Sequence, residues 1–211
     1  MITTLTPRPG LHLAVASVPA ALNTLRSADI SPASRTMPPW RAREHLAGRA
    51  LARTLLSGSL GLPLHTPLRS RTGGPPCVPG HPQLSVSISH SGDTVAAAVA
   101  HQPVGIDIQA PSPPSEGLLR RCCSPSAAAA LRRLPPEERA LHFAYLWTAQ
   151  EACVKALGTG LAGAPWRIDV APGAREGRWR RLTWRHLTDI GSPLPTCLAY
   201  GRPVAEGEEG P

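Results

Sequence analysis

Residues 84–109 read LSVSISHSGDTVAAAVAHQPVGIDIQ, and this stretch decides the fold of the chain. Apolar residues and serines alternate from Leu84 to Ser89, which is the pattern of a strand with one buried face. The polar residues 90–93 predict a turn, and the small apolar run at residues 95–100 predicts a returning strand. We therefore predict a β-hairpin, followed after Gln102-Pro103 by a third strand at residues 104–109.

The third strand carries an acidic residue between two isoleucines. Strand alternation places Asp107 and Gln109 on one face and the isoleucines on the other. Burying an unpaired carboxylate is costly, so a cation or a metal ion is the expected partner of Asp107. The alternative is an aspartate at an exposed strand end, capped by backbone amides.

Two long helices are predicted on either side of this stretch. The first runs from Trp40 to about Leu56 after a pair of prolines. The second begins at Pro135-Pro136-Glu137-Glu138 and should end near Leu157, with Gly158 suited to a C-cap.

The remaining segments complete the expected order of elements. Residues 111–125 should lack regular structure, residues 127–134 form a short helix, and residues 179–187 and 194–200 form two more strands. The expected order is a helix, a hairpin with a third strand, a second helix and a second hairpin. This order indicates an α+β fold of two similar halves joined near residues 101–104.

The first helix carries a basic residue every four positions, at Arg41, His45, Arg49 and Arg53. Residues at this spacing share one helix face. The stripe is either a solvated surface or a phosphate-binding edge, and the sequence alone leaves both open.

Composition restricts the class of protein. The chain has 211 residues, a formal charge of +8, five cysteines and 42% hydrophobic residues. This content supports an ordinary core, and the odd number of cysteines without metal spacing favours reduced thiols in a cytoplasmic protein. No apolar stretch approaches the ~20 residues that span a bilayer, so we expect no membrane partner. The positive charge predicts an acidic partner.

The chain contains a single lysine, Lys155, among 22 basic residues. It lies one helical turn after Glu151, so the two side chains share a face. Two simpler interpretations are possible. The pair is an ordinary ion pair on a helix surface, or Lys155 is a lysine that remains by chance in an arginine-rich composition. Together with Asp107, however, the two residues fit a site for Mg²⁺ and phosphate, because Mg²⁺ prefers carboxylates and phosphate oxygens. No P-loop or serine-hydrolase motif accompanies them.

Three ordered segments resemble the 4'-phosphopantetheinyl transferases of the Sfp type, which activate nonribosomal peptide and polyketide synthases. They are SISHSG at residues 87–92, VGIDI at residues 104–108, and WTAQEACVK at residues 147–155 followed by GTGL at residues 158–161. The motifs occur in the family's order and spacing. With a compatible upstream helix, the resemblance covers most of residues 40–161.

The resemblance implies a pseudo-twofold α+β fold of two duplicated α/β halves, residues 1–103 and 104–202. The acidic, glycine-rich composition of residues 203–211 predicts a disordered tail. Coenzyme A and Mg²⁺ would bind between the halves. The 4'-phosphopantetheine arm would move to a serine of an acidic acyl or peptidyl carrier protein, releasing adenosine 3',5'-bisphosphate. A cytoplasmic monomer with no nucleic-acid partner is expected.

The resemblance also implies roles for individual residues. Asp107 and Glu151 would bind Mg²⁺, Glu151 would also help to deprotonate the carrier serine, and Lys155 would stabilise the phosphate under attack. Gln109 stands at the third metal position. The residues implied to hold coenzyme A are Ser89, His90, Arg35, Arg49 and Arg71.

Four positions depart from the family pattern. Gly74-Pro75-Pro76 replaces the usual Gly-Lys/Arg-Pro, and Arg69 and Arg71 are the two candidates to supply the missing cation. Gln109 is neutral where an acid is usual, and Gln150 and Thr159 stand where lysines are frequent. These departures leave a second hypothesis open, a weak homologue that binds carrier proteins or coenzyme A as an accessory factor. A basic nucleic-acid-binding domain is the third hypothesis.

Overall fold

The computed structural model describes residues 1–70 and 74–201. The N-terminal part contains β1 (Ile2–Arg8), β2 (Leu11–Ser17), α1 (Val18–Leu22), α2 (Pro39–Leu60), the two-residue strands β3 (Arg69–Ser70) and β4 (Pro76–Cys77), β5 (Ser85–Ser91) and β6 (Thr94–Ala100). The C-terminal part contains β7 (Val104–Ile108), α3 (Glu116–Cys122), α4 (Pro125–Arg132), α5 (Pro136–Ala156), β8 (Glu176–Trp179), β9 (Leu182–His186) and β10 (Thr196–Gly201). Short 3-10 turns lie at Ser27–Asp29, Pro32–Arg35, Gly160–Gly163 and Pro165–Arg167.

Two four-stranded antiparallel sheets form the centre of the molecule. The first has the strand order β1-β2-β6-β5 and the second the order β7-β10-β9-β8. The long helix α2 packs on the outer face of the first sheet, and α5 packs on the outer face of the second. A third apolar cluster lies between the two sheets and includes Leu13, Ile106 and Leu198. The layers are therefore helix, sheet, sheet, helix, which confirms the predicted α+β class.

A row of serines joins the two sheets. The side chains of Ser85, Ser87, Ser89 and Ser91 on β5 accept hydrogen bonds from the backbone N–H groups of Val104, Ile106, Ile108 and Ala110, at 3.2, 3.0, 3.3 and 2.8 Å. Strand alternation puts all four serines on one face of β5. The polar face of the predicted hairpin is thus not exposed to solvent but fixes the register of β7, and with it the position of Asp107.

Gly105 allows α5 to approach β7. A β-carbon at this position would overlap the carbonyl oxygen of Ala152 on α5. Because backbone atoms cannot move aside as a flexible side chain can, only glycine permits this contact. The close approach places the last turns of α5 directly over the face of β7 that carries Asp107.

Most predicted elements are confirmed, with differences at their ends. The hairpin, β7 and α5 lie where the sequence predicts them, and Gly158 follows α5 with a φ of 67°. Helix α2 extends to Leu60, where Gly61 terminates it with a φ of 68°. The prediction of irregular structure at residues 111–125 was wrong, because Ser115 caps α3 by accepting a hydrogen bond from the backbone of Leu118. Strand β1 was not predicted, since its threonines and Pro7 hide the alternation.

The predicted duplication and its boundary at residues 103–104 remain predictions. The boundary lies in the connection between β6 of the first sheet and β7 of the second. The predicted tail at residues 203–211 lies outside the described residues. Within residues 1–70 and 74–201, no helix is long and apolar enough to cross a membrane.

Candidate active site

Asp107 lies at the centre of the candidate site. Its carboxylate oxygen Oδ1 accepts hydrogen bonds from Lys155 Nζ at 2.6 Å and from Ser89 Oγ at 2.7 Å. The Asp107 side chain is 8% exposed, whereas that of Lys155 is 26% exposed. Lys155 is therefore the cation that the sequence predicted for this buried carboxylate. Nζ also lies 3.4 Å from the carbonyl oxygen of Ile88, which holds the ammonium against β5.

Glu151 faces the same position from one turn earlier on α5. Burial raises the pKa of its carboxyl group, the negative charge of Asp107 raises it further, and Lys155 opposes the shift. Its Oε1 atom is buried and has no hydrogen-bond partner among the described residues. A buried carboxylate beside a second one favours a proton or an added cation. This arrangement is suited to a base or to a metal ligand.

These side chains open onto one cleft between the two sheets and α5. The cleft has a volume of about 350 Å³. Its lining residues are Ile88, Ser89, His90, Asp107, Ile108, Gln109, Trp147, Glu151, Lys155 and Leu161. The chain thus brings six of the nine residues predicted for the site to one place.

His90 is the exposed residue of this group. Its Nδ1 atom lies 3.2 Å from Oε2 of Glu44 on α2. Burial lowers the pKa of His90, while Glu44 raises it and Lys155 lowers it. Glu44 was missed by the sequence reasoning, because only the packing of α2 against β5 brings it to His90.

Gln109 reaches the cleft from the end of β7. Its amide nitrogen donates to the carbonyl oxygen of Ala110 at 3.1 Å, which leaves the amide oxygen as the group available to a ligand. Among the described residues, no cluster of three His, Cys, Asp or Glu side chains is placed to hold a metal ion. The available donors are therefore two carboxylates, Asp107 and Glu151, and one amide oxygen. This all-oxygen set fits Mg²⁺, which keeps several water ligands and needs only one or two carboxylates from a protein.

Two family models match consecutive parts of the chain. The 4'-phosphopantetheinyl transferase N-terminal domain matches residues 26–100, and the 4'-phosphopantetheinyl transferase superfamily matches residues 103–188. Together they cover most of the chain and both parts of the cleft. The chain belongs to the 4'-phosphopantetheinyl transferase superfamily.

Similar proteins carry the same family name. A 4'-phosphopantetheinyl transferase from Bacillus subtilis is 32% identical over 122 residues, which cover 57% of this chain and 54% of that protein. The Sfp protein of Bacillus subtilis is 33% identical over 123 residues, with the same two coverages. The HetI protein of a Nostoc species is 33% identical over 146 residues, covering 66% of this chain and 62% of its own length. The aligned part thus spans little more than half of the first two relatives.

Two of the predicted coenzyme A ligands, Arg49 and Arg35, lie outside the cleft. Arg49 is buried, and its guanidinium donates to the backbone carbonyl oxygens of Asp29 and Leu68. Arg35 is exposed on the 3-10 turn before α2. Arg71 lies outside the described residues.

The second half of the basic stripe of α2, Arg49 and Arg53, is neither of the two surfaces that the sequence allowed. Arg53 is fully buried and forms a 2.8 Å ion pair with Asp29. Arg49 is 4% exposed. Both guanidiniums tie the segment before α2 to the helix, so this half of the stripe is structural. Only the early turns of α2, with Glu44 and His45, face the region of His90.

Gln150, which stands where lysines are frequent in the family, does not face the cleft. Its side chain is fully buried, and its amide nitrogen donates to the carbonyl oxygens of Cys122 and Ile168, both at 2.8 Å. Helical geometry turns position 150 away from position 151 by about 100°. Gln150 therefore fixes α5 against the C-terminal core while Glu151 faces the cleft.

Proposed function

We propose that the chain transfers the 4'-phosphopantetheine arm of coenzyme A to a serine of an acyl or peptidyl carrier protein, in a Mg²⁺-dependent reaction. The serine oxygen forms a bond to the β-phosphorus of coenzyme A. The bond from that phosphorus to adenosine 3',5'-bisphosphate breaks, and the serine proton passes to a base. The observation that carries the proposal is the convergence of Asp107, Glu151 and Lys155 on one cleft.

Glu151 is the group suited to accept the serine proton. A carboxylate whose pKa is raised by burial is a better base than one in water, and proton transfer of this kind contributes about 10²–10⁴-fold to a rate. Glu151 lines the cleft, and its Oε1 atom has no hydrogen-bond partner among the described residues, so no existing hydrogen bond of that oxygen has to break when it takes the proton. Glu151 and Asp107 line the same cleft, and the charge of Asp107 acts on the Glu151 carboxyl group, so the two residues are candidates to share a cation.

Lys155 is suited to the phosphate that gains charge during transfer. Its ammonium is a compact donor with three N–H groups, and Asp107 and the Ile88 carbonyl hold it at the cleft surface. When bound, Mg²⁺ would neutralise the pyrophosphate and orient it, with Asp107, Glu151 and Gln109 as the candidate ligands. Ser89 keeps Asp107 in place through its 2.7 Å hydrogen bond, and His90 remains the exposed candidate for a coenzyme A phosphate.

The proposed partner is an acidic carrier protein of a nonribosomal peptide or polyketide synthase. The chain carries a net charge of +8, which favours encounter with an acidic surface. We propose further that the protein works as a cytoplasmic monomer in secondary metabolism.

The reaction is tested by incubating the full chain with an apo carrier protein, coenzyme A and MgCl₂, and measuring the intact carrier mass. We expect a gain of one phosphopantetheine arm that depends on added Mg²⁺. Glu151→Gln and Lys155→Ala should lower the rate by about 10²–10³-fold. The control is Glu138→Gln, the same change at an exposed position of the same helix, which should transfer normally. No mass gain across a panel of carriers and metals would overturn the proposal.

A specific observation supports the second hypothesis of a carrier-binding accessory factor. The third metal position is the neutral Gln109, and its amide is partly engaged by Ala110, so the site has one negative charge fewer than the family pattern. The accessory-factor hypothesis predicts that the unchanged chain transfers nothing. It also predicts that carrier binding, measured by calorimetry, persists in Lys155→Ala. Transfer by the unchanged chain, abolished in Lys155→Ala, would exclude it.

A further inference from the structure

Lys155 and a divalent cation depend on the same carboxylate group. Oδ1 of Asp107 accepts hydrogen bonds from Lys155 Nζ at 2.6 Å and from Ser89 Oγ at 2.7 Å. A carboxylate oxygen has two lone pairs, so these two donors fill Oδ1. A cation that binds Asp107 must therefore use the other oxygen beside the ammonium, or take the place of one of the two donors.

The ammonium opposes a cation at this position. Asp107, Glu151 and Lys155 line one cleft, and Lys155 follows Glu151 by one helical turn of α5. A cation shared by the two carboxylates would lie close to the ammonium that pairs with one of them, and like charges repel. Lys155 on Asp107 therefore lowers the affinity of the two carboxylates for a divalent cation.

Lys155 lies where three concavities meet. Besides the cleft that contains Asp107, it lines two neighbouring concavities of about 510 and 200 Å³ on the side of Pro75. Within residues 1–70 and 74–201, no other residue lines all three. The Lys155 side chain is 26% exposed and has a flexible four-carbon stem. A ligand that extends from one concavity into the next passes the ammonium, which can turn from Asp107 toward that ligand.

We propose that Lys155 couples metal binding to coenzyme A binding by turning from Asp107 to the phosphates of coenzyme A. The proposal rests on the proposed transfer function and adds an order of contacts to it. With the ammonium on Asp107, the two carboxylates bind a divalent cation weakly. With the ammonium on a phosphate, Asp107 keeps its hydrogen bond from Ser89, and its affinity for the cation rises. Because coupling is reciprocal, the cation raises the affinity for coenzyme A by the same factor.

The first test measures the affinity for Mn²⁺, a paramagnetic probe of the Mg²⁺ site, by electron paramagnetic resonance of the free ion. Without coenzyme A, Lys155→Met should bind Mn²⁺ at least about tenfold more tightly than the unchanged chain, because the repelling charge is removed. Saturating coenzyme A should tighten Mn²⁺ binding to the unchanged chain by about 5–150-fold, and that to Lys155→Met by a smaller factor. The matched control is Arg133→Met, which removes one positive charge at an exposed position and should bind Mn²⁺ like the unchanged chain.

The second test follows the ammonium in the unchanged chain. Lys155 is the single lysine, so ¹³Cε-labelled lysine gives one side-chain NMR signal. We expect this signal to move when coenzyme A and Mg²⁺ are added together. Asp107→Asn, which removes the ion pair, should shift the starting signal and identifies the position of the Asp107 pair. With Mn²⁺ in place of Mg²⁺, the Lys155 signal should broaden, because the paramagnetic ion lies in the same cleft.

The coupling and the transfer function fail in different measurements. Equal Mn²⁺ affinities of the unchanged chain and Lys155→Met without coenzyme A would overturn the coupling. So would a Lys155 signal that stays at the position of the Asp107 pair with both ligands present, or one that Mn²⁺ does not broaden. Carrier loading would leave the transfer function standing in each of these cases. The expected affinities and signals without any carrier loading would reject the transfer function and support the coupling.

Discussion

The two parts of the molecule each contain an ion pair between a long helix and an aspartate, but the pairs differ in exposure. In the N-terminal part, Arg53 of α2 meets Asp29 at 2.8 Å, and their side chains are 2% and 1% exposed. In the C-terminal part, Lys155 of α5 meets Asp107 at 2.6 Å, with 26% and 8% exposed. One pair is closed to solvent, and the other opens onto a cleft.

The surroundings of the two pairs explain the difference. Asp29 also accepts from the backbone N–H of Arg26 at 2.8 Å, and the Arg53 guanidinium also donates to the carbonyl oxygen of Thr24. These bonds use polar groups of the loop, so the closed pair holds the loop to α2. Beside the open pair lies Glu151, whose Oε1 atom has no partner among the described residues. A carboxylate oxygen without a hydrogen-bond partner next to a cleft is the feature that distinguishes a candidate site from a structural contact.

The largest effect should come from breaking the closed pair. Arg53→Met leaves Asp29 buried without its cation, and we expect the free energy of unfolding to fall by about 3–5 kcal/mol. Urea denaturation measures this change in the free energy of unfolding. The paired variant Arg53→Met/Asp29→Leu should recover much of the loss, because it removes both charges. Equal losses in the single and paired variants would show that the charge of Asp29 is not the cause.

The next largest effect should come from changing the open pair, and it should appear in the rate of carrier loading and not in stability. Lys155→Arg keeps the charge but replaces a compact ammonium by a larger planar guanidinium. A displacement of about 1 Å at a reacting group can lower a rate by about 10²-fold, and we expect a loss of that size in carrier loading. Stability should change little, in contrast to Arg53→Met. Arg120→Lys is the reverse exchange at an exposed position and serves as control. Normal loading by Lys155→Arg would mean that any cation suffices there.

A smaller effect is expected from replacing Glu151, and it should raise the free energy of unfolding instead of lowering it. Its folded-state pKa lies above its ordinary value of 4.5, so keeping Glu151 ionised in the folded protein costs stability. That loss grows as pH rises from about 4.5 through the raised pKa. Glu151→Gln should therefore raise the free energy of unfolding at pH 8 by an amount of order 1 kcal/mol, typical of a single stabilising change, while carrier loading is lost.

The pH dependence provides the check on this prediction. The difference between Glu151→Gln and the unchanged chain should vanish toward pH 4, where both side chains are uncharged. Glu138→Gln, at an exposed position of α5, should give no stabilisation at either pH. A destabilised Glu151→Gln at pH 8 would contradict the conclusion that this carboxylate is held at a cost.

The smallest effect near neutral pH concerns a buried imidazole, that of His186. His186 packs against the rings of Tyr145 and Trp184, and burial lowers its pKa to about 4. The unfolded chain binds this proton below about pH 6.5, whereas the folded chain binds it only near pH 4. Stability should therefore fall as pH decreases from 6.5 to 4, with less than about 1 kcal/mol lost at pH 6. His186→Phe should flatten this part of the unfolding profile, and the exposed His65→Gln should not.

The sequence determined most elements of the fold, although not β1 or α3, and the chemistry of the open pair. Alternation at residues 84–109 predicted the hairpin and β7, because a strand exposes its period in its sequence. The spacing of Glu151 and Lys155 fixed their shared helix face for the same reason. The motifs in order then indicated the family before any contact was known.

Only the tertiary structure decided which charges are used inside the protein. Arg49, Arg53 and Gln150 look like surface or phosphate-binding residues in the sequence, yet their side chains bind the carbonyl oxygens or carboxylate of segments 15 to 30 positions away. The partner of a long polar side chain depends on which loop packs over it. Local periodicity in the sequence does not indicate which loop that is. The approach of α5 to β7 at Gly105, which sets the distances among Asp107, Glu151 and Lys155, is likewise a property of packing, since it depends on two backbones that are far apart in the chain.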